Sequence, residues 1–417
     1  MKSEIIAVGS EMLTPFRQDT NSLYVTEKLN ELGVTVAFKT IVGDRRKDLV
    51  NSIRAALGRT DIVVIMGGLG PTEDDLTREA VAEALTTSLR RDPDQIVALA
   101  ARAATWRIPM PENNLKQADV LEGATILPNP NGSAPGQWID TIYSGYRKLL
   151  MLLPGPPNEC RPLFDAECFP RLRALVPERF IAKRTLRAAM IPESQADKLL
   201  APIYSEYTDV ETTILAHTGD IQLTLLCSKP DKNSAQSRVD ELAGRMEDVL
   251  EDWLYSAGCE SAESLEQIVL YHLGLRQATM AVAESCTGGM IAERITSVPG
   301  SSRSFLGGAI VYSDELKTAF AGVPPELIAR HGAVSAEVAE ALAYGIRRYT
   351  GATLGVGVTG IAGPTGGTEA KPVGLVYIAL SEATKSEVVE KNFRGDRARV
   401  REWTTQQALD LIRRRLR

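Results

Sequence analysis

A serine and a cysteine stand side by side where the sequence predicts a strand turning into a helix. Residues 278–282 are short and apolar, which is typical of a buried strand, and residues 290–296 carry apolar side chains at helical spacing. Ser285 and Cys286 therefore lie on the turn between them. The first backbone N–H groups of a helix have no partner within the helix. We expect these groups to be free to hold a phosphate or the negative oxygen of an acyl-transfer intermediate.

Thr287, Gly288 and Gly289 complete this turn and allow two interpretations. Two glycines let a substrate approach the backbone closely, so all three residues are candidates for binding a substrate or its phosphate. Alternatively, Thr287 caps the helix, the glycines only form the turn, and Cys286 fills the core. A hydroxyl and a thiol are both possible nucleophiles, and the residue types alone leave the choice between them open.

A lysine is the base available to such a nucleophile. The chain has three histidines, and none lies near these motifs. Lys317 follows Tyr312, which ends a predicted strand, and a tyrosine alongside a lysine can relay the proton. A lysine acts as a base only where burial or neighbouring positive charge lowers its pKa. The alternative is an ordinary exposed lysine near the start of a helix.

A second glycine-rich turn follows another predicted strand, which ends at Thr359. Gly360 and Gly363 open this turn. Further on, Arg394 and Arg397 precede the final predicted helix, where two guanidinium groups can bind a substrate phosphate in a forked geometry. Singly, these residues suit plainer roles: a capping hydroxyl, a tight turn and a solvated basic surface. Their joint occurrence near the ends of predicted strands favours a site.

The most strand-like run of the chain, residues 61–66, opens into a turn that combines glycines with acids. Backbone N–H groups in such a turn can bind a phosphate, and carboxylates beside a phosphate usually imply a bridging divalent cation. The alternative is a tight turn in which one acid caps the next helix. The residues concerned are Gly67, Gly68, Gly70, Thr72, Asp74 and Asp75.

The order of predicted elements divides the chain into three domains. Residues 1–170 alternate strands and helices, which is typical of a doubly wound parallel α/β sheet. Ligands of such sheets bind at the carboxyl ends of the strands, where Glu11 and Asp44 also fall. Residues 171–255 predict a small α+β module without the Gly-x-x-Gly loop that KH domains use to hold nucleic acid, so we expect a spacer or dimerisation element. Residues 256–417 predict a further α/β domain.

Composition limits the classes of function. The chain has 417 residues, a formal net charge of −6 and a hydrophobic fraction of 44%, which suits about three ordinary domains. No run of about 20 apolar residues is present, so we expect no membrane partner, and the mild acidity does not favour nucleic acid. The chain has five cysteines, and their spacing does not suit a metal site, which predicts reduced thiols and a cytoplasmic location.

The N-terminal motifs resemble those of a known family. Residues 67–72 with Asp74 and Asp75, and the turns at residues 131–136 and 154–157, are similar to the molybdopterin-binding-like N-terminal domain of the CinA (competence/damage-inducible protein A) family. The resemblance implies an ADP-ribose pyrophosphatase that depends on a divalent metal ion of unspecified identity. Carried over onto this sequence, the metal or phosphate candidates are Glu11, Asp44, Asp74 and Asp75.

The C-terminal motifs are similar to the C-terminal domain of the same family, the nicotinamide-mononucleotide deamidases. The shared motifs are residues 283–289, Tyr312 with Lys317, and residues 331–335, 359–364, 371–374 and 395–397. The resemblance implies that nicotinamide mononucleotide (NMN) is hydrolysed to nicotinic acid mononucleotide and ammonia through an acyl-enzyme, without a metal cofactor. The implied roles are nucleophile for Ser285, base for Lys317, assistance for Tyr312 and Thr359, and phosphate binding for Arg397.

The middle module resembles a KH-type fold in this family, so the resemblance covers nearly the whole chain. The expected protein is a homodimeric enzyme of pyridine-nucleotide salvage whose substrates are NMN and ADP-ribose. Two alternatives stay open. One is an N-terminal domain that binds molybdopterin or a nucleotide without pyrophosphatase activity, and the other is a non-enzymatic adaptor in competence or the DNA damage response.

Overall fold

The computed structural model describes residues 1–105, 111–177, 179–258 and 262–417. The chain divides into two compact units, one of Met1–Ile181 with Ser228–Lys232 and one of Ala182–Cys227 with Asn233–Arg417. We call them the N-terminal unit and the C-terminal unit, and most of the middle module folds within the latter. Cys259 and part of the segment that joins this module to the last domain lie outside the described residues. Within those ranges, no helix is both long enough and apolar enough to cross a membrane.

The N-terminal unit is built around a six-stranded sheet. The strands of this unit are β1 (Lys2–Val8), β2 (Thr35–Val42), β3 (Ile62–Met66), β4 (Leu89–Arg91), β5 (Asp119–Leu121), β6 (Thr125–Leu127), β7 (Gly136–Tyr143) and β8 (Tyr146–Leu153). Strands β4 and β5 pair with each other in a separate two-stranded sheet. The helices of this unit are α1 (Asn21–Glu31), α2 (Arg46–Arg59), α3 (Thr77–Leu85), α4 (Pro93–Thr105), α5 (Pro157–Leu163) and α6 (Phe169–Leu175). The sheet has the order β2-β1-β3-β8-β7-β6, in which β2, β1, β3 and β8 run parallel.

Strand β3 shows why this sheet is covered on both faces. It is buried over its whole length, as expected for a central parallel strand. Val63 and Ile65 belong to a core with residues of α2 and α3. Ile62 and Val64 point to the other face and belong to a core with residues of α1 and α5. The predicted doubly wound α/β fold is therefore confirmed.

The rest of the chain forms two further sheets. The strands are β9 (Phe180–Ala189), β10 (Val210–His217), β11 (Asp220–Lys229), β12 (Leu254–Gly258), β13 (Met280–Glu284), β14 (Phe305–Ile310), β15 (Leu354–Gly360), β16 (Leu375–Ser381) and β17 (Ser386–Asn392). The helices are α7 (Glu193–Tyr204), α8 (Lys232–Leu250), α9 (Leu265–Leu275), α10 (Met290–Thr296), α11 (Asp314–Ala321), α12 (Pro325–His331), α13 (Ala336–Thr350) and α14 (Arg397–Leu416).

The middle module is a four-stranded sheet of order β10-β11-β9-β12 that packs against α7 and α8, which confirms the predicted α+β module. The turn of its β10–β11 hairpin lies against α14 of the last domain. Thr218 Oγ1 donates a hydrogen bond of 2.9 Å to Glu402, and Gln406 Nε2 donates one of 3.2 Å to the carbonyl of Gly219.

The last domain contains a five-stranded sheet of order β14-β13-β15-β16-β17. Strands β14, β13 and β15 are parallel, whereas β16 and β17 join by antiparallel pairing. Helices α9, α10 and α14 cover one face, and α13 covers the other. Gly357 of β15 permits α13 to approach closely, because a side chain there would collide with the backbone of that helix.

Candidate active sites

Three parallel strands of the last domain end at one edge of the sheet, where Ser285, Tyr312 and Thr359 lie. Glu284, the last residue of β13, pairs with the last residue of β14 and with Val358 of β15. Ser285 follows directly, and its backbone N–H donates a hydrogen bond of 3.0 Å to the carbonyl of Val358. Neighbouring strands lie about 4.8 Å apart, so this register brings the three strand ends together. We call this edge the serine site.

Lys317 is buried beside the serine site. It lies one turn into α11, whose start is capped by the side chain of Ser313. Lys317 is only 2% exposed, and its Nζ donates hydrogen bonds of 3.3 Å to Asp314 Oδ1 and 3.4 Å to the carbonyl of Tyr312. Among the described residues, no hydrogen bond joins Lys317 Nζ to Ser285 Oγ. Catalytic hydrogen bonds are often long before substrate binds, so both residues remain candidates.

Arg397 connects two of the strand ends. Its Nη2 donates a hydrogen bond of 2.7 Å to Tyr312 Oη, and its Nη1 donates one of 2.9 Å to the carbonyl of Gly363. Asp396 caps α14, which holds Arg397 at the first residue of the helix. Arg394 is exposed and forms no hydrogen bond or ion pair with the residues that the structure describes. Of the two predicted arginines, the structure brings only Arg397 into contact with the strand ends.

The hydroxyl proton of Thr359 is used in a hydrogen bond to the backbone. Its Oγ1 donates a hydrogen bond of 2.7 Å to the carbonyl of Ala333, and the side chain is 1% exposed. Lys371 holds the same loop, because its Nζ donates to the carbonyls of His331 and Val334 at 2.7 and 2.6 Å. The hydroxyl of Thr359 therefore ties this loop to the end of β15.

The predicted binding turn beside Ser285 has two glycines with positive φ angles and a buried threonine. Gly288 and Gly289 have φ angles of +59° and +95°, in the left-handed region that favours glycine. Thr287 is fully buried, and its hydroxyl has no partner among the described residues. In the second turn, Gly363 also has a positive φ of +83°, whereas Gly360 is required because a side chain there would collide with β16.

The hydrogen bonds of Glu284 contradict one prediction about this turn, namely that the N–H groups at the start of the helix are free. Its carboxylate accepts hydrogen bonds from the N–H groups of Gly289 at 2.9 Å, Ile291 at 3.2 Å and Ala292 at 2.9 Å. The prediction that the first N–H groups of the helix are free to hold an anion is therefore wrong for these three. A carboxylate that is 1% exposed needs such donors, and the positive end of a helix supplies them.

Both possible nucleophiles are buried, with Ser285 7% and Cys286 5% exposed, but their surroundings differ. The Cys286 side chain belongs to the core between the sheet and α9, α10 and α14. That burial raises the pKa of its thiol from the ordinary 9.0 to about 12, which keeps the sulfur in its unreactive protonated form. Ser285 stays at the sheet edge, so the geometry favours Ser285 over Cys286 as the nucleophile.

The N-terminal unit carries a second candidate site, a cavity of about 630 Å³ at the carboxyl ends of β1, β2 and β3. We call it the acidic cavity. The predicted residues that line it are Gly67, Gly68, Gly70, Glu11, Asp44, Asp74 and Asp75, and Gln117 and Ser133 join them. The predicted Thr72 lies beside the cavity and contacts two of its acids. This cavity has the size of an ordinary ligand pocket.

The side chain of Arg78 holds the glycine turn of the acidic cavity in place. Arg78 is 1% exposed, and its guanidinium donates hydrogen bonds of 2.8 Å to the carbonyl of Leu69 and 3.0 Å to that of Gly70. Gly67 and Gly68 have φ angles of +102° and +66°. The turn is therefore a rigid part of the cavity wall.

Thr72 brings two carboxylates together. Its hydroxyl lies within hydrogen-bond distance of Asp74 Oδ1 and, at 2.6 Å, of Asp75 Oδ2, and its N–H also donates to Asp75 at 2.9 Å. The hydrogen bond from Thr72, with a smaller contribution from Lys116, lowers the pKa of Asp74 below its ordinary value. Asp44, which follows β2, accepts a hydrogen bond of 2.8 Å from the N–H of Ser10.

Three family models match consecutive parts of the chain. They are the probable molybdopterin binding domain over residues 4–174, the damage-inducible protein CinA KH domain over residues 183–256, and the CinA C-terminal domain over residues 262–416. The CinA-like protein of Acidobacterium capsulatum is 63% identical over 416 residues, with 100% of both chains covered. The chain belongs to the CinA family. The CinA-like protein of Koribacter versatilis is 54% identical, also with 100% of both chains covered.

A solved structure is similar to part of this CinA chain. The competence/damage inducible protein CihA from Agrobacterium tumefaciens is 34% identical and covers 35% of this chain and 92% of its own, with a TM-score of 0.34. The serine site lies within the match to the CinA C-terminal domain, and the acidic cavity lies within the match to the molybdopterin binding domain.

Three residues of the serine site in this CinA protein lie outside the sequence-based predictions. They are Glu284, Asp314 and Arg401. Arg401 follows Arg397 by one helical turn on α14, and its Nη2 and Nε donate to the carbonyl of Thr287 at 2.8 and 3.3 Å. Helical spacing from a predicted arginine is the signal that would have found it. For Glu284, which caps α10, the signal is that an acid stands directly before Ser285 in the sequence.

The acidic cavity of this CinA protein offers a partial set of metal ligands. In the parts of the chain that the structure describes, no three His, Cys, Asp or Glu side chains lie close enough together to hold a metal ion. Asp74 and Asp75 nevertheless share contact with one hydroxyl. Magnesium is commonly held by one or two carboxylates together with substrate phosphates, and this oxygen donor pair fits that arrangement.

Proposed function

We propose that the C-terminal domain is an amidohydrolase that converts NMN to nicotinic acid mononucleotide and ammonia. One observation carries this proposal. Ser285 lies at the common edge of three parallel strands, and the buried Lys317 is held at the same edge by its hydrogen bond to the carbonyl of Tyr312, while the neighbouring thiol of Cys286 is held in the core. A serine hydroxyl and a buried amine at one sheet edge are the pairing that an acyl-transfer nucleophile needs.

The first half-reaction forms an ester on the serine. Ser285 Oγ attacks the carboxamide carbon while its proton passes to Lys317 Nζ, and the new C–O bond gives a tetrahedral intermediate. The C–N bond then breaks, and the nitrogen leaves as ammonia with the proton that Lys317 returns. In the second half-reaction, water attacks the ester carbon and gives its proton to Lys317. Ser285 recovers a proton as the acid departs.

The negative oxygen of the intermediate needs donors other than the N–H groups that Glu284 already uses. The N–H groups of Cys286 and Thr287 follow the nucleophile directly, and both lie beside the Cys286 sulfur. We assign them the stabilisation of this oxyanion. We assign assistance in proton transfer to Tyr312, whose hydroxyl accepts a hydrogen bond from Arg397 and whose backbone carbonyl accepts one from Lys317.

Ammonia release from NMN tests the proposal. Purified protein is expected to release ammonia, Ser285→Ala to abolish release, and Cys286→Ala to retain it. Retained release in Ser285→Ala, or loss in a folded Cys286→Ala variant, would overturn the assignment of the nucleophile.

The acidic cavity favours a second activity, cleavage of the diphosphate bond of ADP-ribose. The supporting observation is a rigid glycine turn beside a carboxylate pair in one cavity. A divalent cation held there by Asp74 and Asp75 would neutralise phosphate charge. The backbone N–H groups of the turn would orient the phosphates.

Release of AMP and ribose 5-phosphate with added magnesium or manganese tests this activity. Asp75→Asn is expected to abolish release, whereas Asp94→Asn, which removes an acid elsewhere in the same unit, is the matched control. Metal-independent release, or full activity in Asp75→Asn, would contradict it. Bound pterin without turnover would support the molybdopterin-binding alternative instead.

A further inference from the structure

The wall of the acidic cavity carries far more negative than positive charge. Six carboxylate side chains line the cavity, and Arg17 is the single lysine, arginine or histidine among the described residues that do so. The acids are Glu11, Asp19, Asp44, Asp74, Asp75 and Glu159. Within the described chain, none of these acids forms an ion pair. An anionic ligand such as a diphosphate can enter this cavity only if cations offset the negative charge.

A nucleotide diphosphate needs positive charge at both of its phosphates. A divalent cation held by Asp74 and Asp75, as proposed above, would offset part of the charge, and a second positive group is needed for the rest. Arg17 belongs to the segment between β1 and α1, whereas both aspartates belong to the segment between β3 and α3. The cavity therefore receives its two possible sources of positive charge from separate segments of the chain.

The segment that carries Arg17 is fixed on both sides of this residue. On one side, Thr14 Oγ1 donates a hydrogen bond of 2.7 Å to the carbonyl of Glu11. On the other side, Arg161 Nη2 donates hydrogen bonds of 3.3 Å to the carbonyl of Thr20 and 3.1 Å to its hydroxyl. These contacts hold the backbone around Arg17 at the cavity, although the arginine side chain itself is exposed.

The guanidinium of Arg17 has all of its donors available. Among the residues that the structure describes, it forms no hydrogen bond and no ion pair. Arg161 differs, because its Nη2 and Nε donate to Thr20 and Asn21. A guanidinium presents a planar fork of N–H donors that matches two phosphate oxygens at once. Arg17 can therefore bind a phosphate group without first breaking a contact within the protein.

We propose that Arg17 binds the diphosphate group of the substrate in the acidic cavity and thereby allows a nucleotide diphosphate to occupy a cavity lined with acids. This inference rests on the proposed pyrophosphatase function, since it names a side chain that recognises the substrate of that same site. Cleavage of the diphosphate bond increases the negative charge on the departing phosphate, and a bound guanidinium stabilises that charge.

Variants of the full-length chain test this inference. Arg17→Gln removes the charge, and Arg17→Lys keeps the charge but loses the fork. Arg173→Gln makes the same charge change at an exposed arginine of α6 that does not line the cavity. Thermal unfolding shows whether each variant is folded.

Two binding measurements distinguish a contact with the diphosphate from a structural role. The first is isothermal titration with adenosine 5′-(α,β-methylene)diphosphate in the presence of magnesium, because the bridging carbon of this analogue prevents cleavage. The second is titration with Mn²⁺ alone, followed by the electron paramagnetic resonance signal of the free ion. Release of AMP from ADP-ribose is measured in parallel.

Arg17→Gln is expected to weaken binding of the analogue by about tenfold or more and to reduce kcat/KM for ADP-ribose by a similar factor, without weakening the binding of Mn²⁺. Arg17→Lys should recover part of the loss, and Arg173→Gln should behave as the parent does. Unchanged binding of the analogue by Arg17→Gln would overturn the inference. Equal weakening of the analogue and of Mn²⁺ would also overturn it, because that result would show a structural role.

The parent protein separates this inference from the proposed function. If the parent neither binds the analogue nor releases AMP, both fail. If it releases AMP and Arg17→Gln matches it in binding and turnover, only the inference fails. If it binds the analogue but releases no AMP, the proposed pyrophosphatase activity fails, and the titration of Arg17→Gln still decides whether Arg17 holds a diphosphate.

Discussion

The carboxylate of Glu284 accepts a hydrogen bond of 2.9 Å from the N–H of Gly289. The strand that precedes the nucleophile therefore caps the helix that follows it. Two more N–H groups, of Ile291 and Ala292, bind the same carboxylate. The turn that presents Ser285 is thus fixed at both sides by one buried acid.

Replacing this acid should loosen the turn. Glu284→Ala is expected to lower the free energy of unfolding by about 3 kcal/mol, because three donors at a buried helix start lose a charged acceptor. Amidase kcat should fall as well, since Ser285 follows Glu284 directly. Urea unfolding and ammonia release measure the two effects. Glu293→Gln, at an exposed acid of the same helix, is the control, and an equal response of both variants would contradict the capping role.

The hydrogen bond between Arg397 and Tyr312 predicts that these two side chains act as a pair. Tyr312→Phe and Arg397→Gln should each reduce amidase kcat/KM, and the double variant should lose less than the two losses combined. A coupling energy of about 1–3 kcal/mol is expected for such a charge-assisted contact. Strictly additive losses in the double-mutant cycle would mean that the 2.7 Å contact has no role in turnover.

Because the thiol of Cys286 is buried, we expect it to make a pH-dependent contribution to the free energy of unfolding. Its pKa rises from 9.0 to about 12 on folding, so the folded state disfavours the thiolate. This contribution is complete below about pH 9 and is lost as the pH rises from there toward 12. Urea unfolding between pH 8 and 11 should therefore show a steeper decline for the wild type than for Cys286→Ala. Identical slopes in the two proteins would contradict the buried state of this thiol.

The hydrogen bond from Thr72 to Asp74 should determine the pH below which the proposed pyrophosphatase loses activity. This hydrogen bond lowers the pKa of Asp74, so this carboxylate stays ionised further into the acid range. Thr72→Val removes the hydroxyl at nearly constant volume, which lets the pKa rise toward its ordinary value. The pH at which activity begins to fall should therefore move upward, and a pH–rate profile with saturating metal measures it. An unchanged profile would mean that the ionisation of Asp74 does not control the reaction.

The strand ends were predictable because they follow from local patterns. Apolar runs such as residues 61–66 mark buried strands, and a parallel arrangement brings their carboxyl ends to one edge. The same patterns in the last domain indicate that Ser285, Tyr312 and Thr359 share such an edge. Alternation around Thr218 and Gly219 likewise predicts the hairpin of the middle module.

Partnerships across long stretches of chain were not predictable in this way. Arg401 and Thr287 are 114 residues apart in the sequence, and only the packing of α14 on the sheet joins them. The error about the helix start after Ser285 has a related cause. A periodic pattern shows where a helix begins, but it does not show which side chain will occupy the N–H groups there. Glu284 does so because its strand ends beside that helix.

The most direct test of the proposed mechanism is to find the acyl group on the nucleophile. Wild-type protein is mixed with NMN and quenched in acid within milliseconds, and its peptides are analysed by mass spectrometry. We expect a substrate-derived nicotinoyl-nucleotide ester on Ser285 that is absent from Ser285→Ala and builds up further in a variant with slow deacylation. An acyl group on Cys286, or rapid ammonia release with no covalent adduct at any time, would contradict the claim that Ser285 carries the reaction.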